Sequence, residues 1–169
     1  MTDIPVLTTQ RLVMRGQVEG DFAAYAEFYG SARAHFIGGP YSQEDTWRLF
    51  AADAGHWRLK GFGWWTVTEN GTPVGTVGIH HPPHQADPEI GWTLYDGATG
   101  RGLAREAAEA ALGWAVAQLS LARLVSYIHT GNAASIRLAE ALGAMREPVL
   151  AAHYPNTAVY SHDLERYAA

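Results

Sequence analysis

Polar and apolar side chains alternate along residues 11–15 (RLVMR), which predicts a strand with one buried face. Asp21 then stands where it can cap a helix carrying Phe22, Tyr25, Ala26 and Phe28 or Tyr29 on one side. Gly38-Gly39-Pro40 reads as a loop. Ser42 followed by Asp45 resembles a capping box. The helix it opens places Trp47, Phe50, Ala51, Ala54 and Trp57 at three- and four-residue intervals and stops near Gly61. Two strands follow, 64–68 and 73–81, joined through Asn70-Gly71, a strong hairpin signal, and ended by Pro82-Pro83. Residues 90–94 form a short apolar strand. A turn with Asp96, Gly97 and Gly100 leads from it into an alanine-rich helix reaching Gln118. A further strand is expected over 122–128, then a helix over 133–142 between Asn132 as cap and Gly143 as stop. The tail offers strands over 145–152 and 158–164. The order is β-α-α-β-β-β-α-β-α-β-β, a mixed α/β fold, and no repeat or linker divides residues 1–169 into more than one domain.

Composition narrows the partners. Hydrophobic residues make up 47% of the 169 positions and charged residues 17%, enough for a real core. Net charge is −5 and no block of Lys or Arg occurs, which argues against nucleic acid or an anionic membrane surface as the main partner. The chain has no cysteine, so disulfides, thiolate metal sites and thiol nucleophiles are excluded. Its first ten residues (MTDIPVLTTQ) lack a signal-peptide pattern and no long apolar run follows, so a cytoplasmic protein is expected.

The candidate chemistry gathers between Glu89 and Gln118. Gly100, Gly102 and their neighbours fall where strand becomes helix. A helix N-terminus carries unpaired N–H groups and a partial positive charge, and glycine lets an anion approach the backbone. Thr99-Gly100-Arg101-Gly102-Leu103-Ala104 therefore reads as a phosphate seat, or as a turn that only permits tight packing. It is not a P-loop, since no Gly-Lys-Ser/Thr follows. It is not a dinucleotide fingerprint either, because the next strand ends in Tyr127-Ile128-His129-Thr130 rather than an acidic residue.

This strand–turn–helix, with Thr9-Gln10-Arg11-Leu12 before it and Asn132-x-x-Ser135-Ile136-Arg137, Leu142-Gly143-Ala144 and Tyr160-Ser161 after it, resembles the GNAT superfamily of acetyl-CoA-dependent N-acetyltransferases. The nearer branch is that of the RimJ/RimL ribosomal-protein enzymes, and the likeness covers nearly the whole chain. It implies a central sheet of about seven strands flanked by about four helices. The family's turn follows Gln/Arg-x-x-Gly-x-Gly/Ala and its amides hold the CoA pyrophosphate. Gly102 and Ala104 match its last two positions, and Thr99 replaces the usual Gln or Arg. The resemblance thus implies that main-chain groups from Gly100 through Arg101, Gly102, Leu103 and Ala104 to Arg105 bind the cofactor. It also implies that strand 89–94 splays from its neighbour at a bulge, freeing N–H groups near Thr93 and Leu94 for the pantetheine arm and the acetyl carbonyl. Asn132 is expected to touch that arm, or to be a plain helix cap, or both.

Direct transfer of an acetyl group needs a base for the amine and a proton for the leaving thiolate. Glu89 is the expected base, and the bland alternative is a solvent-facing carboxylate at a strand end. Many family members use a tyrosine as the acid, at the position occupied here by Ala139, so Ser135 is the substitute candidate. Its alternative role is a helix-start hydroxyl bonded to backbone. His129 is a reserve base and His162 a weaker one. His80-His81-Pro82-Pro83-His84 invites a metal reading, but neighbouring strand residues point to opposite faces, so no metal is expected. Among Trp47, Trp57, Trp64 and Trp65, one or two are expected to shape an acceptor pocket. The acceptor is a primary amine, on a protein N-terminus or a small molecule, and the enzyme a monomer or homodimer. The reading from a different class is a CoA-binding module that has lost catalysis.

Overall fold

A computed structural model describes residues 3–168. Its strands are β1 (Leu7–Thr8), β2 (Leu12–Arg15), β3 (Trp64–Glu69), β4 (Thr72–His80), β5 (Glu89–Leu94), β6 (Val125–His129), β7 (Met145–Leu150) and β8 (Thr157–Ser161). Its α-helices are α1 (Phe22–Tyr29), α2 (Gln43–Lys60), α3 (Leu103–Gln118) and α4 (Ala133–Ala141). The eight strands make one mixed sheet in the order β1-β2-β3-β4-β5-β6-β8-β7. The expected element order holds, with one strand more than the expected seven. The addition is β1, two residues pairing with Val13 and Met14, too short to leave a periodic signal.

Local chemistry accounts for the boundaries. Asn70 and Gly71 both have positive φ (50° and 80°), the geometry of the tight hairpin turn between β3 and β4. The Ser42 side chain accepts the Asp45 N–H at 3.1 Å and opens α2, which closes at left-handed Gly61. Asn132 caps α4 by accepting the Ser135 N–H at 3.2 Å. Asp21 is a correction. It precedes α1 but makes no capping bond. Its carboxylate instead takes both Arg15 Nη atoms at 2.8 Å, the Val18 N–H at 3.0 Å and the Thr66 hydroxyl at 2.9 Å.

Alternation gives the sheet two unlike faces. Leu12, Met14, Trp65, Val67, Val77, Ile79 and Ile90 are buried in one core with the α3 residues Leu103, Ala107, Ala108, Ala111, Leu112 and Ala115. The opposite face carries Thr66, Thr68, Thr76, Thr93 and Glu89. A second, smaller cluster joins Ile128, Ala139, Ala144, Ala158 and Tyr160, and Trp92 packs against both clusters. The expected face of α2 is partly displaced, since Phe50 and Trp57 are buried while Trp47 and Ala51 are exposed.

The feature that positions a site is a split in the middle of the sheet. β4 and β5 pair without a break from Gly75↔Leu94 to His80↔Glu89, whereas β5 and β6 run parallel and share the single register pair Glu89↔Val125. Beyond that pair the strands part. The expected splay is present, but no bulge in β5 makes it. The sheet opens because β6 diverges, and the register shifts recorded fall elsewhere, at Val67/Thr68 and Arg146/Leu150.

Candidate functional site

The split opens into a cavity of about 680 Å³ that extends under α1 and α2. Its apex is tied shut. The Val125 N–H bonds to the Pro88 carbonyl at 3.0 Å, and the Ser126 hydroxyl donates to the Ile90 carbonyl at 2.7 Å. His162 completes the tie with its Nε2 at 2.9 Å from Ser126 Oγ. Because the Ser126 proton goes to Ile90, this buried serine and histidine form a clip and not a nucleophile with its base. Burial pushes His162 down to about 4, so it is neutral and no reserve base.

Main-chain polarity along β5 follows from one bond. The Tyr95 N–H donates to the Val74 carbonyl at 2.9 Å, and in an antiparallel ladder alternate residues turn both main-chain groups to the same side. Thr93 therefore belongs to the β4 pairing, and Ile90, Trp92 and Leu94 face the split. Two contacts agree: Ile90 O is bonded by Ser126, and Leu94 O by Arg33 Nη2 at 2.9 Å. Of the two expected free N–H groups, Leu94 is placed to be free and Thr93 is not; Trp92 takes its place. Thr93 lines the cavity with its side chain.

The turn after β5 is open to solvent and built on glycine. Gly97, Gly100 and Gly102 have φ of 76°, 74° and 77°, a region other residues enter at a cost. Gly102 sits at the N-cap of α3 and offers no side-chain cap, so the N–H groups of Leu103, Ala104 and Arg105 lack internal partners. No carboxylate stands on that first turn before Glu106. Glu106 is itself held by the Thr9 hydroxyl at 2.6 Å and by Arg11 N and Nε at 2.9 and 2.7 Å. Arg101 reaches Glu69 at 2.7 Å, Arg105 reaches Glu109 at 2.9 Å, and Thr99 is exposed. Residues 99–105 lie outside the cavity lining, whereas Glu89, Thr93, Asn132 and Ser135 are all part of it.

Glu89 stands at the apex, where β5 still touches β6. Burial pushes its carboxyl up to about 7, against a hydrogen bond from Gln85 Nε2 at 2.9 Å and with help from the charge of Asp53. It is not the solvent-facing carboxylate of the bland alternative. His80 Nδ1 lies 3.9 Å from Glu89, but burial, with His56, His84 and His81 nearby, holds His80 down at about 4, so this is no ion pair. Ser135 faces Glu89's strand from the other lip of the split. Its Oγ accepts the Trp92 Nε1–H at 3.2 Å, which leaves the hydroxyl proton free to donate. Asn132 spends its Oδ1 on the helix cap and keeps its amide N–H groups. Ala139 is completely buried in the second cluster, a place with no room for the family's tyrosine. His129 accepts the Gly131 N–H at its Nδ1, 3.0 Å away, so its other nitrogen carries the proton.

Several lining residues carry no sequence signal of their own. Trp64 is the tryptophan of the expected four that lines the cavity; Trp57 and Trp65 pack with Trp114, and Trp47 against Phe22. Gly91 is the space for it, since a Cβ there would lie 2.5 Å from the Trp64 ring. The turn Ala32–Ile37 brings His35, Phe36 and Ile37 to the mouth, with Phe36 5.2 Å from the His129 ring. Asp53 projects from α2 and accepts the Tyr25 hydroxyl at 2.7 Å. Among the described residues no group of histidines and carboxylates fit to hold a metal ion occurs.

A sheet split between parallel strands, with a glycine turn and a helix N-terminus at its open end, defines the architecture of the acyl-CoA N-acyltransferases. A family model for the acetyltransferase (GNAT) domain matches residues 11–145. An acetyltransferase from Agrobacterium tumefaciens str. C58 superposes with a TM-score of 0.91 at 38% identity over 95% of both chains. A GNAT-family acetyltransferase from Bacillus anthracis gives 0.79 at 23% identity, covering 95% of this chain and 99% of the other. RimL, a ribosomal L7/L12 alpha-N-protein acetyltransferase in complex with coenzyme A, gives 0.78 at 16% identity, covering 94% and 97%. The chain belongs to the GNAT acetyltransferase family and is an acyltransferase. The family uses acetyl-CoA. No described helix is long and apolar enough to cross a membrane.

Proposed function

We propose that this single-domain protein moves an acetyl group from acetyl-CoA to a primary amine by direct attack in a ternary complex. The observation that carries the reading is the placement of Glu89 and Ser135 on opposite lips of one split, both lining one cavity. A carboxyl pushed up to about 7 is matched to taking a proton from an amine near neutral pH. The Ser135 proton is free to go to the departing sulfur. In the transfer the amine nitrogen bonds to the acetyl carbon, the carbon–sulfur bond breaks, and one proton leaves nitrogen while one reaches sulfur.

Acetyl-CoA supplies an acyl group activated as a thioester. The residues fit it on chemical grounds. Unpaired amides from Gly100 to Arg105 suit a pyrophosphate, and the one carboxylate of the first turn of α3, Glu106, is already held by Thr9 and Arg11. The Trp92 and Leu94 N–H groups suit the amide-bearing arm and the acetyl oxygen, and the Asn132 amide suits the same arm. The acceptor enters from the α1–α2 side, where the loop before Ser42, α2 and the β7–β8 connection line the cavity. It is a protein N-terminus or a small amine, and the enzyme is a cytoplasmic monomer or homodimer. An acceptor screen with acetyl-CoA that detects released thiol tests the reading, with calorimetry for CoA binding. Turnover lost in Glu89→Gln with CoA affinity retained is expected. No turnover on any amine, with CoA still bound, would make the protein a cofactor-binding module.

A further inference from the structure

Glu89 is not alone in the cavity. The carboxyl of Asp53 lines the same space from α2, and the lining contains no lysine and no arginine. Among the described residues Asp53 makes no ion pair, and its one hydrogen bond comes from the neutral Tyr25 phenol at 2.7 Å. Burial pushes it up to about 7, as it does Glu89. The titratable groups facing the two carboxyls are Tyr25 and Tyr29 of α1, His80 of β4, His84, Tyr127 of β6 and Tyr154. His80 is neutral and none of the others is a fixed cation.

A single attacking amine accounts for Glu89. It leaves a second desolvated carboxyl without a counter-charge, which is unfavourable unless something cationic arrives. Two further observations point to a ligand with N–H groups. Gln85 is only 6% exposed, and its Oε1 has no hydrogen-bond partner, although its Nε2 is spent on Glu89 and on the Tyr154 hydroxyl, both at 2.9 Å. Those two bonds fix the amide so that the bare oxygen is an acceptor in a cavity wall. Beside Asp53 the wall is aromatic, with Tyr25 and Tyr29 stacked 4.2 Å apart, and Trp64 lines the same cavity, surfaces that attract an ammonium.

We propose that Asp53, with Tyr25, is a second cation subsite, and that the acceptor carries two amino groups: one held as ammonium at Asp53 while the other is deprotonated at Glu89 and attacks. The inference rests on the acetyl-transfer reading and names its substrate class, a short aliphatic diamine or an equivalent pair of charges. The competing reading, in which Asp53 only ties α1 to α2 through Tyr25, requires the hydrogen bond and not the charge.

The test separates the two. Binding of 1,4-diaminobutane, 1,5-diaminopentane, butylamine and pentylamine to the CoA-loaded protein is measured by calorimetry. The diamine of matched length is expected to bind at least tenfold more tightly than the monoamine. Asp53→Asn, which keeps the bond from Tyr25, should bring the diamine to the monoamine level. A peptide with lysine beside its free N-terminus, compared with alanine there, tells whether the second charge arrives on a peptide or on a small diamine. On the unmodified protein, diamine binding at pH 6.5 should release more protons than monoamine binding, read from buffers of different ionisation enthalpy. Equal affinities and equal proton release for diamine and monoamine, or an equal loss of both in Asp53→Asn, would overturn the proposal. Turnover is scored separately with acetyl-CoA. A diamine preference in binding without turnover would sink the transferase reading and leave the subsite standing. Brisk turnover of monoamines and diamines alike would do the reverse.

Discussion

Asp21 and Glu89 are two carboxylates beneath the same helices, and they have opposite surroundings. Asp21 receives four hydrogen bonds, from Arg15 Nη1 and Nη2, Val18 N and Thr66 Oγ1.

 Burial alone would raise the Asp21 carboxyl, but these partners outweigh it and hold it below its ordinary value. Glu89 has one donor, Gln85, and burial pushes it up to about 7. Full partnering turns a buried carboxylate into folding stability. A shortage of partners leaves it able to exchange a proton.

Four measurements at three residues can break or sharpen the contrast, taken from the largest expected effect to the smallest. Glu89→Gln should lower kcat/KM by about two to four orders of magnitude, the usual contribution of a positioned base. In the unmodified enzyme kcat/KM should rise with pH through about 7, and an enzyme that kept its rate in the variant would remove Glu89 from the chemistry. Asp21→Ala removes the partner of a part-exposed Arg15 and leaves Thr66 and the Val18 amide without their acceptor, and should cost about 2–3 kcal/mol in urea unfolding at pH 7. Since the folded value of Asp21 is depressed, its contribution is present above the unfolded value of 3.8 and is lost as pH falls through the folded one.

For stability Glu89 should behave in the opposite sense. Its folded value is raised, so its contribution is present below the unfolded value of 4.5 and is lost as pH rises through about 7. Glu89→Gln should therefore be more stable than the parent by about 1–3 kcal/mol at pH 8, with the gain vanishing near pH 4. Denaturant curves at the two pH values check it, and a gain that persisted in acid would point to packing rather than charge. The smallest effect is at Ser135. Ser135→Ala should lower kcat about tenfold with CoA affinity unchanged by calorimetry, and a loss of affinity instead would make Ser135 a binding residue.

What could be read in the chain beforehand divides along the same line. Asn70-Gly71, Ser42, Gly61, Asn132 and Gly102 act on backbone within a few residues of themselves, and their turns and caps stand where expected. Asp21 misled for a physical reason. A cap and an ion-pair partner share one sequence appearance, and Arg15 and Thr66 reach it only after β2 and β3 pair. Asp53, Gln85 and Trp92 come from α2, a loop and β5, and only the closed sheet brings them to one cavity with Trp64, so no local pattern marks them together. The two-residue β1 and the turn Ala32–Ile37 are stabilised by what they touch and not by their own periodicity.

The single register pair between β5 and β6 has a consequence for motion. On one side of it lie β1 to β5, and on the other β6, β8 and β7 with α4; the smaller core belongs to the second group, while Leu124, Leu138 and Leu142 reach across into the larger one. Side chains and one amide, rather than a ladder, join them: the Ser126 hydroxyl on Ile90 O, the Val125 amide on Pro88 O, Trp92 on Ser135, Tyr154 with Gln85 and His84, Tyr127 with the Asp87 amide, and the Arg123–Asp87 ion pair. Such a molecule is built of two cooperative units sharing one seam. Amide hydrogens of β6 and β8 should exchange with solvent as a group, at a rate distinct from those of β3 and β4. A ligand spanning the gap would bind both units at once and draw the two rates together.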